Sequence, residues 1–298
     1  MKKSNSEWDD RTFNPITGCL HDCEYCYARK QANRFKSKQV LEKDGSKMIF
    51  GRVLEDCGNE YKETDLYIFD EKPYKRDKKE KLVVNSFPLG FNPTFHRYRL
   101  KDPQKIKTPQ TIFVGSMADI FREWVPDEWI ADVFKACEAA PWHRYLFLTK
   151  NLYRYKDLAE KKILPLIDGD VWGNPQANNF WFGVTETGLR DNEIRKSRSN
   201  PAGGINLFLN LEPLQADVTS FNDYGAWDWV IIGAETGSRK DKIIPKREWV
   251  EDIVNTCKEA GVPVFIRNNL AAIWGEPLIQ EFPWKNSVMS YDWDGEDI

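Results

Sequence analysis

Short apolar runs recur along the second part of the chain, and each run is followed by polar residues. Every run is continuously apolar rather than alternating, which is typical of strands buried on both faces. The six runs are Thr111–Val114, Tyr145–Leu148, Phe180–Val184, Ile205–Leu209, Trp229–Ile232 and Val262–Ile266. Helical spacing of apolar positions predicts helices over Pro126–Ala139, Leu152–Lys161 and Lys246–Ala260. This alternation of strands and helices predicts parallel β–α–β packing.

The repeated strand–helix units predict an α/β fold. Counting the extended segment Arg11–Pro15 as a first strand, we expect a partial (β/α) barrel of about six to seven parallel βα units. The stretch from Ser37 to Gln110 is charged and breaks this rhythm, so we interpret it as an insertion, with short strands at Tyr67–Phe69 and Leu82–Val84.

Four segments follow from this interpretation. Residues 1–36 would hold the first strand, a cysteine loop and the helix after it, and residues 37–110 the charged insertion. Residues 111–275 would form the remaining βα units, and residues 276–298 an acidic C-terminal tail. We therefore expect one barrel interrupted once, early in the chain.

Three cysteines lie close together near the N-terminus, with the spacing C-x3-C-x2-C. They are Cys19, Cys23 and Cys26, and no fourth cysteine follows nearby. Three thiolates on one loop can bind three irons of a [4Fe–4S] cluster and leave the fourth iron open to another ligand. The alternative is a zinc site, which normally takes four ligands and would use His21 as the fourth.

Polar residues follow nearly every predicted strand. In β/α barrels the chemistry lies at the C-terminal ends of the strands, so we expect these residues to converge on one rim as a candidate active site. The candidates are Ser116, Asp119, Lys150, Thr185, Glu186, Asn210, Glu212 and Glu235.

The cysteine spacing, followed by the aromatic Tyr27, resembles the radical SAM superfamily. The resemblance implies a partial barrel and a [4Fe–4S] cluster whose open iron binds S-adenosylmethionine. It places Tyr25 near the adenine, and it places the motif Gly115–Asp119 where the superfamily holds the amino group. We expect Lys150 to pair with the carboxylate of S-adenosylmethionine. Glu186 or Glu212 would accept hydrogen bonds from its ribose.

Several short segments point to a particular family within this resemblance. They look like a phage-associated, three-Cys-motif protein family of unknown function, and the similarity spans about residues 8–270 without the insertion. The segments are Phe13–Cys19, Phe113–Phe121, Phe147–Lys150, Phe182–Thr185, Leu211–Leu214 and Ile231–Gly237. Two features depart from the family: the first two cysteines are closer, and the last strand ends in Arg267–Asn269. The close cysteine spacing also resembles spore photoproduct lyase, which acts on DNA bases.

The resemblance implies an enzyme that cleaves S-adenosylmethionine reductively to a 5′-deoxyadenosyl radical, which abstracts hydrogen from a substrate. Basic stretches at Lys72–Lys81 and His96–Arg99 favour a nucleobase or nucleotide substrate, although such stretches are often solvated loops. A peptide substrate is the next alternative. From a different class, the rival is a zinc-stabilised binding module without catalysis.

Composition sets the remaining expectations for the 298-residue chain. Its net charge of −3 and 41% hydrophobic content fit a globular protein, and no apolar run is long enough to span a membrane. No signal peptide is evident at the N-terminus, so we expect reduced thiols and a cytoplasmic location. The resemblance to radical SAM enzymes implies an electron donor such as flavodoxin or ferredoxin. Cys137 and Cys257 lie on predicted helices and are expected to be core thiols.

Overall fold

A computed structural model describes residues 1–4, 6–37, 39–56, 61–165, 179–188, 205–218 and 223–284. The chain divides into two compact units, Met1–Leu166 (unit 1) and Ile167–Ile298 (unit 2). The expectation of an acidic tail falls largely on residues 285–298, which lie outside the described residues. The division into units does not test the four segments expected from the sequence, which stay a prediction.

Unit 1 contains ten strands and three α-helices among its described residues. In chain order they are β1 (Lys2–Lys3), β2 (Arg11–Phe13), β3 (Ile16–Thr17), α1 (Tyr27–Phe35), β4 (Gly51–Asp56), β5 (Tyr61–Phe69), β6 (Tyr74–Arg76), β7 (Leu82–Val84), β8 (Thr94–His96), β9 (Thr111–Val114), α2 (Asp127–Glu138), β10 (Arg144–Thr149) and α3 (Tyr153–Glu160). Two 3-10 helices lie at Arg97–Arg99 and Pro103–Lys105.

Parallel strands form the centre of unit 1. Strand β9 pairs in parallel with β2 on one side and with β10 on the other, while β1 pairs antiparallel with β2. Phe13 and Phe147 both lie opposite Val114, so these three strands end at the same edge. The residues that follow them, including Asn14 and Gly115, are therefore brought together at that edge.

The predicted insertion forms its own β structure. Strands β3, β8, β5 and β4 make a four-stranded sheet in that order, and β6 pairs with β7 as a separate antiparallel hairpin. The two short strands expected from the sequence lie in β5 and β7. Because β3 precedes the cysteines, its pairing with β8 ties the insertion to the start of the cysteine loop.

Unit 2 is a parallel βα structure. Its elements are β11 (Phe180–Thr185), β12 (Asn206–Leu211), β13 (Trp229–Ile232), α4 (Arg247–Glu259), β14 (Val264–Ile266) and α5 (Ala271–Trp274), with 3-10 helices at Tyr224–Ala226 and Asn268–Leu270. The strands pair in parallel in the order β11, β12, β13, β14. All six residues of β11 are buried, in agreement with its continuously apolar sequence.

Helix α4 shows why the spacing of apolar residues predicted a helix here. Its buried side chains are Val250, Ile253, Val254 and Cys257, which follow the i, i+3, i+4, i+7 spacing of one helix face. Cys257 is therefore a core thiol, as expected, and so is Cys137, which is fully buried on α2.

These pairings confirm a mixed α/β fold with parallel strands. The finer prediction, a partial barrel, is a matter of how the strands curve and stays a prediction. Among the described residues, no helix is long and apolar enough to cross a membrane.

Candidate cofactor site at the cysteine loop

Gly18 starts the cysteine loop in a conformation that few other residues adopt. Its φ is +86°, and a Cβ atom on this residue would lie 2.2 Å from the carbonyl oxygen of Asn92. Its N–H donates to the carbonyl of Met117 at 2.9 Å, and the next N–H, of Cys19, donates to that of Phe91 at 3.1 Å. The loop is thus held between two other segments of unit 1, with no room for a side chain at its first residue.

The three cysteines are half-buried and free. The N–H of His21 donates to Sγ of Cys19 at 3.4 Å, and the N–H of Arg29 donates to Sγ of Cys26 at 3.3 Å. Cys26 is also the N-cap residue of α1, so its sulfur lies at the positive end of that helix. Backbone N–H groups and a helix N-terminus stabilise negative charge on sulfur, which suits thiolate ligands.

Burial raises the pKa of the Cys19 thiol to about 11, while the hydrogen bond from the His21 backbone lowers it and the nearby Asp119 carboxylate raises it. Without a metal ion the Cys19 thiol is therefore neutral at pH 7. Binding of a metal ion displaces the proton, because the thiolate is the ligand.

An apolar cluster packs against the cysteine loop. Cys19 and Cys26 pack against buried residues of α1, of the segment before β8 and of the turn after β9; these are Ala28, Ala32, Phe87, Phe91 and Met117. Arg29 covers this cluster, with its guanidinium 5.3 Å from the centre of the Phe91 ring. The guanidinium also donates to the carbonyl of His21, which fixes the middle of the loop.

Asp119 joins the ends of two neighbouring strands. Its Oδ1 accepts hydrogen bonds from Oγ1 of Thr149 at 2.7 Å and from the N–H of Phe121 at 3.3 Å, and its Oδ2 accepts the N–H of Lys150 at 3.0 Å. The turn after β9 and the end of β10 are therefore held together by one carboxylate. This carboxylate fixes the position of the Lys150 backbone.

Lys150 points toward the cysteine loop. Its Nζ lies 5.7 Å from the centre of the Tyr25 ring. Burial by itself lowers the pKa of Lys150, but the negative charges available on Tyr25, Cys23, Asp119 and Cys19 raise it, and the net change is upward. Lys150 is therefore a firmly protonated cation beside the cysteines.

Ser116 lies at the same edge and is held by two residues. Asn14 accepts hydrogen bonds from the Ser116 hydroxyl at 3.2 Å and from the N–H of Met117 at 3.0 Å. The Tyr27 hydroxyl donates to the Ser116 carbonyl at 2.6 Å. The turn that carries Ser116 is thus fixed both to Asn14, which follows β2, and to Tyr27, the first residue of α1.

The donor set fits a cluster in its chemistry: three soft sulfur ligands, N–H groups directed at two of the sulfurs, an apolar floor and a neighbouring cation. Within the described ranges, no three or more His, Cys, Asp or Glu side chains are gathered so that they could hold a metal ion. A single zinc ion requires four donors around one point at about 2.3 Å from sulfur. A cubane binds each cysteine to a different iron, so its sulfurs need not converge in this way.

Glu212 of unit 2 is occupied by an internal ion pair. Nη1 of Arg267 donates to both its carboxylate oxygens, at 2.9 and 2.7 Å, and Nδ2 of Asn269 donates to Oε1 at 3.2 Å. Glu212 follows β12 and Arg267 follows β14; strand β13 lies between these two strands and is followed by Gly233. A Cβ atom at Gly233 would lie 2.9 Å from Cδ of Glu212, so the absence of a side chain there lets the ion pair form.

The other two candidate carboxylates of unit 2 also have partners. Arg239 donates from Nε and Nη2 to the two oxygens of Glu235, each at 2.8 Å, in the bidentate geometry of strong pairs. Oε1 of Glu186 accepts the N–H of Thr187 at 2.8 Å and that of Gly188 at 2.6 Å. These contacts give both carboxylates a role in holding the strand-end loops.

Thr185, the last residue of β11, lies opposite Asn210, the last residue but one of β12, in the register of these strands. Both are buried, and Oδ1 of Asn210 has no hydrogen-bond partner among the described residues. A buried amide oxygen without a partner costs free energy, so this position suits a ligand that donates a hydrogen bond.

Within unit 1 the structure brings together the cysteine loop, Tyr25, Asp119 and Lys150. Within unit 2, Glu186 is linked to Asn210 through the hydrogen bond from its N–H to the Asn210 carbonyl. Sequence reasoning missed the residues that hold these groups, which are Asn14, Thr149, Arg239, Arg267 and Asn269. The polar ends of the predicted strands were the available signal for four of them, since Asn14, Thr149, Arg267 and Asn269 all follow or end a strand.

The basic and aromatic stretch at residues 96–99 is used inside the fold. His96 is fully buried, and its Nε2 lies 2.9 Å from Oγ1 of Thr17. Arg99 donates from Nη1 to the carbonyl of Asn14 at 2.7 Å. These contacts tie the insertion to β3 and to the end of β2. The fully buried ring of His96 offers no surface to a base, while the nucleic-acid contact expected from the rest of this stretch stays a prediction.

Residues 3–277 match the family described as Protein of unknown function (DUF5131). The match covers most of the chain, so the protein belongs to this family. No curated protein and no solved structure matches the chain.

Proposed function

We propose that this protein is a radical SAM enzyme with a partial (β/α) barrel, whose [4Fe–4S] cluster is held by Cys19, Cys23 and Cys26. With S-adenosylmethionine bound, such a cluster supplies one-electron reductive cleavage to a 5′-deoxyadenosyl radical. The proposed substrate is a nucleobase or nucleotide, with a peptide as the alternative. We place the enzyme in the cytoplasm, with a flavodoxin or ferredoxin as electron donor.

The observation that carries the proposal is the cation beside the cysteine loop. Lys150 has a raised pKa and lies against Tyr25, the residue between the second and third cysteines. A half-buried ammonium group binds the carboxylate of an amino acid through a charge-assisted hydrogen bond. In this proposal Lys150 binds the carboxylate of S-adenosylmethionine, and the Tyr25 ring contacts its adenine.

Asp119 has a second task in the proposal. Its carboxylate accepts three hydrogen bonds within the protein, and a carboxylate has about four lone-pair sites. The remaining site is available to an amino group. Asp119 thus positions Lys150 through its backbone and supplies the opposite charge for the ammonium group of the same ligand.

The candidate residues of unit 2 fall into two groups, those paired with arginine and those without such a partner in the part of the chain that the structure describes. Glu212 and Glu235 are neutralised by Arg267 and Arg239, so they are proposed to shape the strand-end loops. Because Glu212 is paired, Glu186 stays the proposed acceptor from the ribose hydroxyls. Thr185 and Asn210 stay proposed cofactor-binding residues, and Oδ1 of Asn210, which has no hydrogen-bond partner among the described residues, can accept a hydrogen bond.

The test uses protein that is purified without oxygen and reconstituted with iron and sulfide. Dithionite and S-adenosylmethionine are added, and 5′-deoxyadenosine is measured by chromatography. We expect product from the wild type and from Cys137→Ala, which removes a core thiol, and none from Cys23→Ala. A colourless protein that holds one zinc ion and forms no product would overturn the proposal in favour of the binding module.

A further inference from the structure

Helix α1 presents cations and aromatic rings to solvent directly after the cysteine loop. Lys30, Arg34 and Lys36 are exposed, and the rings of Tyr27 and Phe35 are 53% and 48% exposed. The only buried residues of the helix are two alanines. Large aromatic side chains on the outer face of a basic helix are not accounted for by packing of the core.

The β6–β7 hairpin extends this face. Nζ of Lys75 donates to the carbonyl of Phe35 at 2.6 Å, and the N–H of Arg76 donates to Oε1 of Gln39 at 3.1 Å. The hairpin is therefore fixed against the end of α1. We name the combined area the α1–hairpin surface; its exposed members are Tyr27, Lys30, Arg34, Phe35, Lys36, Arg76, Lys78, Lys79 and Lys81.

The two segments that carry this surface are opposite in charge to the whole protein. These segments, residues 26–47 and 72–81, contain thirteen Lys or Arg and four Asp or Glu, a net charge of +9, whereas the whole chain carries −3. One of the acids, Asp77, accepts the backbone N–H groups of Lys79 and Lys81 at 2.8 and 3.0 Å, so it is used in the hairpin turn. Such a local excess of positive charge attracts a polyanion.

The exposed rings indicate which polyanion fits. Tyr27 and Phe35 are eight residues apart on α1, which corresponds to about 12 Å along the helix. The Arg34 guanidinium lies 5.5 Å from the centre of the Phe35 ring. Nucleic-acid bases stack on aromatic rings while lysine and arginine neutralise the phosphates. An acidic protein surface would use the cations but would have no need of the rings.

The position of the surface relates it to the cysteine loop. Tyr27 follows Cys26 directly, and its hydroxyl donates to Ser116, a residue of the candidate cofactor site. A nucleic-acid strand bound along α1 would therefore have one end beside the cysteine loop. A base inside a duplex is stacked and paired and cannot enter a pocket, whereas a single strand presents its bases freely.

We propose that the α1–hairpin surface binds single-stranded nucleic acid and directs one nucleotide to the cysteine loop. This inference rests on the proposed function, because it names the substrate class of the cysteine-loop site. Binding of the nucleic acid to the α1–hairpin surface does not itself require a metal ion.

The test measures binding of a fluorescein-labelled, mixed-sequence DNA strand of about 20 nucleotides, by anisotropy, to the anaerobically purified full chain. We expect log affinity to fall linearly with log salt between about 50 and 200 mM KCl. The variant Lys30→Glu/Arg34→Glu should weaken binding by about tenfold or more, and should reduce the salt slope. The neutral variant Lys30→Gln/Arg34→Gln should weaken it less.

Two further variants separate base stacking from charge. Phe35→Ala should weaken binding about tenfold without changing the salt slope, because it removes a stacking ring and leaves every charge in place. The matched control Lys135→Glu/Lys156→Glu reverses two exposed helical lysines of unit 1 outside the surface, and should change affinity less than about twofold. Circular dichroism establishes that each variant is folded.

Three results would overturn the inference: no binding at the lowest salt, equal loss in the control variant, or binding of the same strand as a duplex with equal affinity. Competition by polyglutamate at equal charge, together with no effect of Phe35→Ala, would assign the surface to an acidic protein instead. Binding and cleavage of S-adenosylmethionine are measured separately. Loss of one with retention of the other therefore distinguishes failure of this inference from failure of the proposed function.

Discussion

The ammonium group of Lys150 lies 5.7 Å from the centre of the Tyr25 ring, which connects the end of strand β10 to the cysteine loop. The backbone N–H of Lys150 is held by Asp119, which also fixes the turn after β9. Two neighbouring parallel strands, β9 and β10, thus bring a carboxylate and a cation to the cysteine loop, which itself carries the aromatic ring.

Lys150→Ala should weaken the binding of S-adenosylmethionine by about 10- to 100-fold, because it removes a charge-assisted hydrogen bond to the carboxylate. Isothermal titration of the reconstituted protein measures this dissociation constant. Lys150→Arg should retain part of the affinity, and Lys156→Ala, an exposed lysine of α3, should retain all of it. Unchanged affinity in Lys150→Ala, with normal iron content, would exclude the proposed contact.

Gly18→Ala should release the cysteine loop from its place. The added Cβ would collide with the carbonyl of Asn92, and φ of +86° is costly for alanine, so we expect an iron content after reconstitution below about half of the wild type. Gly261→Ala is the matched control, because its φ is +71° but no atom lies within 4 Å of the added Cβ. If both variants lose iron equally, close approach at Gly18 is not the cause.

Arg267→Met should destabilise the fold by about 2–4 kcal/mol, because it leaves the half-buried carboxylate of Glu212 without its cation. Urea unfolding measures the change in the free energy of unfolding. The double variant Glu212→Gln/Arg267→Met should recover most of this loss, since no unpaired charge remains. Lys156→Met, which removes an exposed pair with Glu160, should cost about 0.5 kcal/mol or less. If the destabilisation of the double variant equals the sum of those of Glu212→Gln and Arg267→Met measured singly, the two residues do not form a direct pair.

His96 should make the stability of the fold depend on pH. Burial lowers the pKa of His96 well below its ordinary value, and nearby Arg99 lowers it further, so the unfolded chain binds the proton more tightly. The contribution of neutral His96 is complete above about pH 6.5 and is lost as the pH falls below it, by at most about 1.4 kcal/mol per pH unit. His96→Gln should flatten this part of the stability profile in urea unfolding at pH 5–7. The same slope in wild type and variant would assign the dependence to other groups.

The strands and helices of the parallel parts could be predicted because local pattern determines them. Continuous apolar runs marked β9 to β14, and helical spacing of apolar positions marked α2, α3 and α4, each to within a residue or so of its bounds. The four-stranded sheet of the insertion could not be assembled from sequence, since its strands carry many polar residues and pair across long separations. Strand β3, for example, pairs with β8 about eighty residues later.

The candidate site was predictable in its residue types but not in its pairings. The rule that chemistry follows parallel strands identified Asp119, Lys150 and Glu212. It did not show that Glu212 pairs with Arg267, because that contact depends on the absence of a side chain at Gly233, the residue after the strand between them. The burial of His96 was also out of reach, because composition does not distinguish a buried histidine from an exposed one.

His21→Ala separates the two metal alternatives without any assay of activity. In the cluster interpretation His21 is not a ligand, so the variant should retain iron and its brown colour after reconstitution. In the alternative with three cysteines and His21 around zinc, the loss of one of four ligands should weaken metal binding severely. Metal content by mass spectrometry decides between them, and loss of all metal in the variant would contradict our assignment of ligands.

The most direct test of the central claim is electron paramagnetic resonance of the reconstituted, dithionite-reduced protein before and after addition of S-adenosylmethionine. We predict a reduced [4Fe–4S] signal whose shape changes when S-adenosylmethionine binds at the open iron, and no such signal in Cys23→Ala. A cluster signal that S-adenosylmethionine leaves unchanged, or a protein that takes up no iron, would contradict the account.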